Sequence, residues 1–513
     1  MMRFASLIDK IQLMSIVLLM KFVSFSKSLQ RVGALLCRPL IFLGNPFSIQ
    51  LLYLVFVSFV GFLGLKSLGP RREGFRPKEL DVFFMSVSAT TDSSMSTVEM
   101  EAFSDTQLLV FIFLMLLGGE VFTSMLGLQM KISNYAAKSE MPNFHRSRLD
   151  MYETDSTGTV GNLKYNSLRY LRLVVLNYLI WIHVCGISVV LLYLRIVQSA
   201  SDVLKNKGLP IHIFSVFMTV SSFTNCGFLP TNENMVVFKK NSGFLILIIP
   251  QLLIGNTMFP MCLRLVIWVL WKFTKRAEFD FMLKNPKEMG YDHLLSSPRS
   301  CFLGLTALGF MVVQFVLFCS MEWNSEAMEG LNFLQKIIGI LFQSVNSRHA
   351  GESIFDLSVL SPAILVLYIV MMYLPPYTCF FPTDYDDESS KRDKEGRKRR
   401  RWLMEGLKLS QISYLVIFVI LICITERDKI KEDPLNFNVI NIIIEVTSAY
   451  GNVGFSTGYS CKRQIKPDGN CKDAWYGFAG RWSNKGKLVL IFVMFFGKLK
   501  KFNMRGGNAW KLS

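Results

Sequence analysis

The sequence predicts an all-α membrane protein in which four repeats, each a span, a re-entrant half-helix and a second span, surround one pseudo-fourfold axis. Three observations predict it. The 513 residues are 51% hydrophobic, with 43 phenylalanines and a mean hydropathy of +0.35, too apolar for a soluble globule. Eight apolar runs approach the length needed to cross a bilayer. Four internal segments align without gaps, each between two of those runs.

The runs lie at Ile49–Leu68, Leu108–Leu128, Leu168–Val197, Phe244–Trp271, Phe302–Ser320, Leu357–Phe381, Leu407–Thr425 and, shorter, Leu488–Phe496. Taken in pairs they define repeat A over 47–130, B over 166–273, C over 298–382 and D over 404–503. Cytosolic loops are expected at 131–165, 274–297 and 383–403, with an N-terminal arm at 1–46 and a tail at 504–513. The arm is amphipathic and basic (Lys10, Lys21, Lys27, Arg31, Arg38) and resembles a signal peptide, but no small-residue cleavage pattern follows its apolar stretch. It therefore reads as a cytosolic or interfacial segment.

A net charge of +18 reads first as cytosolic loop bias. Its densest cluster, Lys391–Arg401, sits between two spans beside Asp384, Asp386, Asp387 and Glu388, as a solvated loop would. No stacking aromatics interleave with it, so no nucleic-acid partner is expected. Arg71, Arg72, Arg76 and Lys78 fall on the side assigned as outside, so the charge count supports this topology without forcing it.

The four aligned segments are FMSVSATTDSSMSTVEM (Phe84–Met100), FMTVSSFTNCGFLPTNE (Phe217–Glu233), LFQSVNSRHAGESIFDL (Leu341–Leu357) and IEVTSAYGNVGFSTGYS (Ile444–Ser460). In each, an apolar stretch too short to cross leads into a polar Ser/Thr/Asn/Gly turn, the pattern of a re-entrant helix. Asp433-Pro434 is expected to cap and open the fourth half-helix. Irregular backbone survives at membrane depth only where it is buried in protein or lines water, so four such turns imply a shared aqueous pore. The architecture becomes four membrane-pore-membrane units: eight transmembrane helices plus four re-entrant pore helices.

The alignment places Ser94, Gly227, Gly351 and Gly454 at one register. Asp92, Asn225, His349 and Asn452 lie two positions earlier, and Ser93, Cys226 and Val453 between. Glycine reaches backbone angles closed to other residues and lets carbonyls approach an ion closely. Rings of carbonyl oxygens can replace the hydration shell of a monovalent cation such as sodium, with the half-helix C-termini aimed at the axis. One such turn could be a surface loop; four at one register read as a selectivity filter. No covalent step and no cofactor is needed.

Rival classes find less support. There is no P-loop, no HExxH and no carboxylate-histidine set placed for catalysis in a span, so no enzyme is expected. A receptor would need a folded extramembrane domain, and no soluble stretch exceeds a few dozen residues. A coupled carrier commonly shows twofold inverted repeats, whereas these four run in one direction.

At these residues the chain resembles the plant HKT transporters of the Trk/Ktr/HKT superfamily over nearly its whole length. The resemblance rests on SSMSTVEME (Ser93–Glu101), NCGFLPTNENM (Asn225–Met235), PQLLIGNTMFP (Pro250–Pro260), VNSRHAGE (Val345–Glu352), SPAILVLYIVMMYLPPYT (Ser361–Thr378) and SAYGNVGFSTGYSC (Ser448–Cys461). It implies plasma-membrane residence, both termini in the cytosol, a homodimer, and passive transport. In that family serine in the first filter goes with sodium selectivity and glycine with potassium permeation, so Ser94 implies the sodium-selective subfamily. A potassium-permeable or sodium-potassium cotransporting member is the rival reading.

Two departures stand out. Many relatives carry an uncharged residue where this chain has Asp92, read either as a cation-concentrating or divalent-binding carboxylate at the filter mouth or as a cap of nearby amides. Lys498 stands where superfamily members place an arginine in the last span, read either as an electrostatic barrier below the filter or as the solvated end of the helix. His349 is expected to pack behind the filter, and His183 to be a satisfied core histidine. Glu99 and Glu101 are vestibule attractors or plain solvated carboxylates. Gly118-Gly119 and Gly255 are expected to allow close packing or kinking. Pro250, Pro260, Pro375 and Pro376 fit broken helices, the last two near an intracellular gate. Most cysteines (Cys185, Cys262, Cys301, Cys319, Cys379, Cys423) read as buried thiols. Cys461 and Cys471 bracket a polar outer loop where a disulfide is the expectation and two free thiols the alternative.

Overall fold

Apolar sequence at membrane depth must satisfy its own backbone, and the described chain does so with helices. The computed structural model describes residues 46–71, 77–140, 154–378, 411–465, 471 and 473–503. The N-terminal arm to residue 45, the basic run Lys391–Arg401, Cys379 and the tail from 504 lie outside the described residues. By internal contacts the chain divides into Met1–Val55, described only over the start of the first helix, and Phe56–Ser513, which holds every other element.

Repeat A contains α1 (Pro46–Ser67), the pore helix α2 (Glu79–Thr90), and a second span broken into α3 (Asp105–Gly118) and α4 (Glu120–Glu140). Repeat B has α5 (Thr154–Ile196), a short α6 (Gln198–Asn206), the pore helix α7 (Ile211–Thr224), and α8 (Ser242–Ile254) with α9 (Phe259–Thr274). Two short helices, α10 (Ala277–Lys284) and α11 (Pro286–Met289), lead to α12 (Ser297–Glu322), the pore helix α13 (Phe333–Asn346) and α14 (Pro362–Tyr373) of repeat C. Repeat D comprises α15 (Gln411–Thr425), a short α16 (Arg427–Glu432), the pore helix α17 (Val439–Gly451) and α18 (Asn484–Asn503). This is the all-α, four-repeat architecture expected.

Three helices are long and apolar enough to cross alone, over Phe47–Ser67, Gly161–Ile196 and Ser297–Glu322. Two second spans qualify only as bent pairs: α3 and α4 turn by 52° at Gly119, and α8 and α9 by 80° between Ile254 and Phe259. The runs Leu108–Leu128 and Phe244–Trp271 are thus each two helices, because Gly118 and Gly255 bring the backbone against a pore-helix carbonyl and the axis swings there. In repeat C, α14 stops at Leu374, where Pro375 cannot continue the helix. Further departures lie at the expected loops: 131–165 carries the end of α4 and the start of α5, and 274–297 holds α10 and α11.

Local sequence explains the starts. Ser104 and Gln107 form a capping box on α3, Asn332 and Gln335 one on α13, and Asn438 accepts from the Asn441 amide at 2.7 Å to cap α17. The cap of α17 is therefore Asn438 and not Asp433. Asp433 instead ends α16 and opens a turn, its carbonyl accepting from Phe437 N at 2.9 Å and its carboxylate from Asn436 Nδ2 at 2.8 Å.

Packing closes the ring. α3 of repeat A packs on the pore helix α7 of B, α8 of B on α13 of C, α14 of C on α17 of D, and α18 of D on α2 of A. Each second span thus leans on the next pore helix, and the last returns to the first. Outward faces stay apolar: Leu192, Leu305, Phe113 and Phe492 are all more than half exposed, as lipid contact requires. Cys185 and Cys301 are exposed, and Cys262, Cys319 and Cys423 partly so. They are not the buried thiols expected, because an apolar stretch in a membrane protein has as much reason to face lipid as core.

The loop between α11 and α12 is fixed by aromatic contacts. His293 Nδ1 lies 2.9 Å from the Tyr377 hydroxyl and Tyr291 Oη 2.9 Å from Ser124 Oγ, while the His293 ring meets Phe259, Tyr291 and Tyr377 edge-on. Burial lowers the His293 pKa, against the opposing pull of Glu120 and Asp292.

Candidate functional site

Three of the four pore helices end in turns of one design. Asp92, Asn225 and Asn452 adopt left-handed backbone (φ 52°, 59° and 49°), a conformation that Asp and Asn tolerate best after glycine. The next amide then closes each turn, Ser93 N to Ser88 O at 2.9 Å, Cys226 N to Ser221 O at 3.0 Å and Val453 N to Ser448 O at 3.0 Å. Turn C departs by one residue: His349 is not left-handed, and Gly351 N itself reaches Asn346 O at 3.2 Å.

All four register residues are left-handed, Ser94 at φ 51°, Gly227 at 83°, Gly351 at 64° and Gly454 at 105°. Ser94 is the one non-glycine among them. The glycines are also enforced by proximity. A Cβ on Gly227 would drive into the Ala350 carbonyl of turn C, one on Gly351 into the Val453 carbonyl of turn D, and one on Gly454 into the Ser94 Cβ and within 3.0 Å of the Ser93 carbonyl of turn A. Each turn thus presses on the next around the ring. Ser94, Gly227, Gly351 and Gly454 together line one cavity of about 330 Å³, which Trp475 and Tyr476 also line.

Glycines also seat the second spans on the turns. The missing side chain of Gly118 faces the Thr90 carbonyl, that of Gly255 the Phe223 carbonyl and that of Gly497 the Tyr450 carbonyl, each at the end of its own repeat's pore helix. Around them polar side chains fix the turns. Asn452 Nδ2 donates to Ser93 Oγ at 2.7 Å and to Met494 O at 3.1 Å, and Asn225 Nδ2 to Phe223 O at 3.1 Å. His349 lies between Val345 O (2.6 Å from Nδ1) and Thr257 Oγ1 (3.0 Å from Nε2), and Arg348 reaches Pro375 O at 2.7 Å while lying over Phe310. His183 is buried on α5, with Nδ1 2.7 Å from Leu179 O and its ring against Phe223.

Lys498 is buried, not at a solvated helix end, and its Nζ stands 2.5 Å from Asp92 Oδ2, the two side chains 4% and 3% exposed. Asp92 therefore sits against α18 and is not among the residues that line the cavity with Ser94. A second pair, Lys487 with Asp81 at 2.6 Å, joins α18 to the pore helix α2. Removing one partner of such a pair costs roughly 3–5 kcal/mol.

The outer carboxylates are likewise engaged. Glu101 meets Lys207 at 2.5 Å and accepts from Asn232 N at 3.1 Å, Glu233 also meets Lys207, and Glu99 accepts from Trp475 N at 3.3 Å. Burial works against the Lys207 ammonium, but the two carboxylates outweigh it and hold its pKa above the ordinary lysine value. Cys461 and Cys471 are joined as a disulfide, Cα to Cα 5.9 Å, and Cys461 N donates to Asp473 Oδ1 at 2.6 Å beside the cavity wall.

Comparison with known proteins decides the family. The TrkH family, described as cation transport protein, matches residues 136–378 and 400–504. Cation transporter HKT1;3 of Oryza sativa subsp. japonica is 50% identical, with 96% of each chain covered. The chain belongs to the HKT cation transporters of the TrkH family. Sodium transporter HKT1 of Arabidopsis thaliana is also 50% identical, over 87% of this HKT chain and 91% of that one. The crystal structure of the potassium transporter TrkH from Vibrio parahaemolyticus matches with a TM-score of 0.48 at 13% identity, covering 90% of this chain and 84% of that one. This HKT chain is thus a membrane transporter of cations and not an enzyme.

Sequence reasoning on this HKT chain missed Lys487 with Asp81, Lys207 with its two carboxylates, and the Glu352 carboxylate that Ser222 Oγ meets at 2.7 Å. One signal was present: lysines eleven apart (487, 498) and aspartates eleven apart (81, 92), a spacing of three helical turns.

Proposed function

We propose that this protein is a passive, channel-like, sodium-selective transporter of the plant plasma membrane, contributing to sodium distribution and salt tolerance. Ser94, Gly227, Gly351 and Gly454 form the selectivity ring, flanked by Asp92, Ser93, Asn225, Cys226, His349, Asn452 and Val453. Backbone carbonyls bind the desolvated ion, and the pore-helix C-termini supply partial negative charge. The vestibule and the Cys461–Cys471 loop face outward, both termini face the cytosol, and the protein works as a homodimer.

The observation that carries this reading is that Ser94 shares the left-handed backbone of the three glycines on one cavity. Serine therefore leaves the backbone ring in place while adding a Cβ and a hydroxyl inside it, which disfavours the wider cage that suits potassium. The names of the rice and Arabidopsis relatives agree with cation and sodium transport.

The test is voltage clamp on cells expressing the full chain, with external sodium exchanged for potassium. Sodium-dependent current that follows the sodium gradient, with little potassium current, is expected. Currents that need both ions together would replace this reading with cotransport.

A further inference from the structure

We infer that the segment 473–477, anchored by the Cys461–Cys471 disulfide, is a strap that positions Ser94 and so sets how sharply the ring separates sodium from potassium. The inference rests on the reading of the four turns as the ion pathway.

The strap crosses one joint of the ring. Repeats A to B, B to C and C to D are linked by the chain itself, whereas D and A meet without a chain connection. At that joint Ser94 stands against Gly454, with no room between them for a further Cβ. Two residues past the ring the repeats carry Ser96, Leu229, Ser353 and Ser456, so a hydroxyl follows on each side of the joint. The strap and the residue after it use both. Gly477 N donates to Ser96 Oγ at 2.9 Å, and the next amide, Phe478 N, to Ser456 Oγ at 2.8 Å. Trp475 N adds a longer bond to Glu99 Oε1 at 3.3 Å, and residues 473–477 line the cavity together with Ser94.

The disulfide fixes where the strap begins. Chain leaving Gly454 runs to Cys461, and the strap that follows Cys471 returns along the cavity to Ser456. The two arms are therefore closed at both ends, covalently at the cysteines and by the Ser456–Phe478 bond beside the ring. Cys461 N also holds the foot of the strap, through Asp473 Oδ1 at 2.6 Å. A cross-link that closes a loop removes conformations otherwise open to the chain. With it cut, each strap bond must order its segment unaided.

Ser94 is the ring residue that needs such support. Left-handed backbone is unfavourable for a residue with a Cβ and persists where the surroundings over-determine it. The three glycines at the same register incur no such cost. Ser96 is held two residues downstream of Ser94, so its bond to the strap limits the freedom of the backbone that carries the ring hydroxyl. One hydrogen bond of this kind shifts a conformational population by about two- to tenfold. Selectivity follows the population in which the ring keeps its shape. Gly477 suits its place, since a Cβ there would come within 3.1 Å of the Ser96 carbonyl.

The experiment reads the sodium-to-potassium permeability ratio from reversal potentials, which do not depend on how many molecules reach the surface. Full-length wild type, S96A, C461S/C471S and S94G are compared, each before and after an external dithiol. Both cysteines are partly exposed, so the dithiol reaches them. It attacks the Cys461–Cys471 bond through a mixed disulfide, supplies two electrons and two protons, leaves two protein thiols and closes to its own cyclic disulfide. Maleimide labelling confirms the cleavage. S96A, C461S/C471S and the reduced wild type are expected to show a ratio about two- to tenfold below that of the untreated wild type. C461S/C471S should not respond to the dithiol, and S94G, which lacks the side chain that the strap positions, should keep its ratio on reduction. An unaltered ratio in S96A or in the reduced wild type overturns the inference, whether or not C461S/C471S reaches the surface. An equal fall in reduced S94G overturns it too, because the strap then acts elsewhere than on Ser94. A wild-type chain that passes no cation current, or passes sodium and potassium alike before treatment, defeats the pathway and selectivity reading instead.

Discussion

The Cβ of Ser94 occupies the space that a side chain on Gly454 would need. The two residues come from the first and last pore turns, and their mutual exclusion explains why serine at one register position goes with glycine at its neighbour. Gly454 is constrained twice over, by that contact and by a φ of 105°.

Gly454→Ala is therefore expected to abolish sodium current and to destabilise the protein by about 1–3 kcal/mol. Thermal melting of the purified protein with current recordings checks it. Adding Ser94→Gly removes the contact but not the backbone strain, so the double variant should recover part of the stability and show a coupling of roughly 0.5–3 kcal/mol.

Glycines of the second spans separate tight packing from mere helix position. Gly255→Ala forces a methyl onto the Phe223 carbonyl and is expected to lower surface abundance severalfold. Gly309, in the middle of α12, has open space around it, so Gly309→Ala should stabilise by up to about 1 kcal/mol through helix propensity. Equal losses in the two variants would contradict the packing account.

The loop that carries His293 should respond to acid. Its pKa is lowered by burial among Phe259, Tyr291 and Tyr377, so the folded state resists protonation. The sign follows: the contribution to stability is fully present above the unfolded histidine value, about 6.5, and declines as pH falls below it. Melting temperature against pH should show that decline in the wild type, and His293→Gln should flatten it.

Four repeats, their shared register and the glycine ring were legible because all are local patterns: apolar length, a Ser/Thr/Asn/Gly turn, ungapped alignment. What was not legible depends on distant partners. Asp92 reads from sequence either as a mouth carboxylate or as a cap of nearby amides, because nothing near it announces Lys498, 406 residues away. Glu101 reads from sequence either as a vestibule attractor or as a plain solvated carboxylate, because no local window contains Lys207, which meets it at 2.5 Å. The fourth pore helix was given the wrong cap because Asp433-Pro434 opens a turn one step upstream, where Asn438 holds the real start. The breaks at Gly119 and beyond Ile254 depend on a pore-helix carbonyl that no local window contains.

Ser94 carries the ion assignment, and Ser94→Gly tests it most directly because the φ of 51° already suits glycine and the substitution relieves about 1–2 kcal/mol of left-handed strain. The measurement is the reversal potential of wild type and Ser94→Gly as external sodium and then potassium are varied. The account predicts about 59 mV per decade for sodium and almost none for potassium in the wild type, with a marked potassium response gained by Ser94→Gly. Equal potassium responses in the two proteins would contradict it.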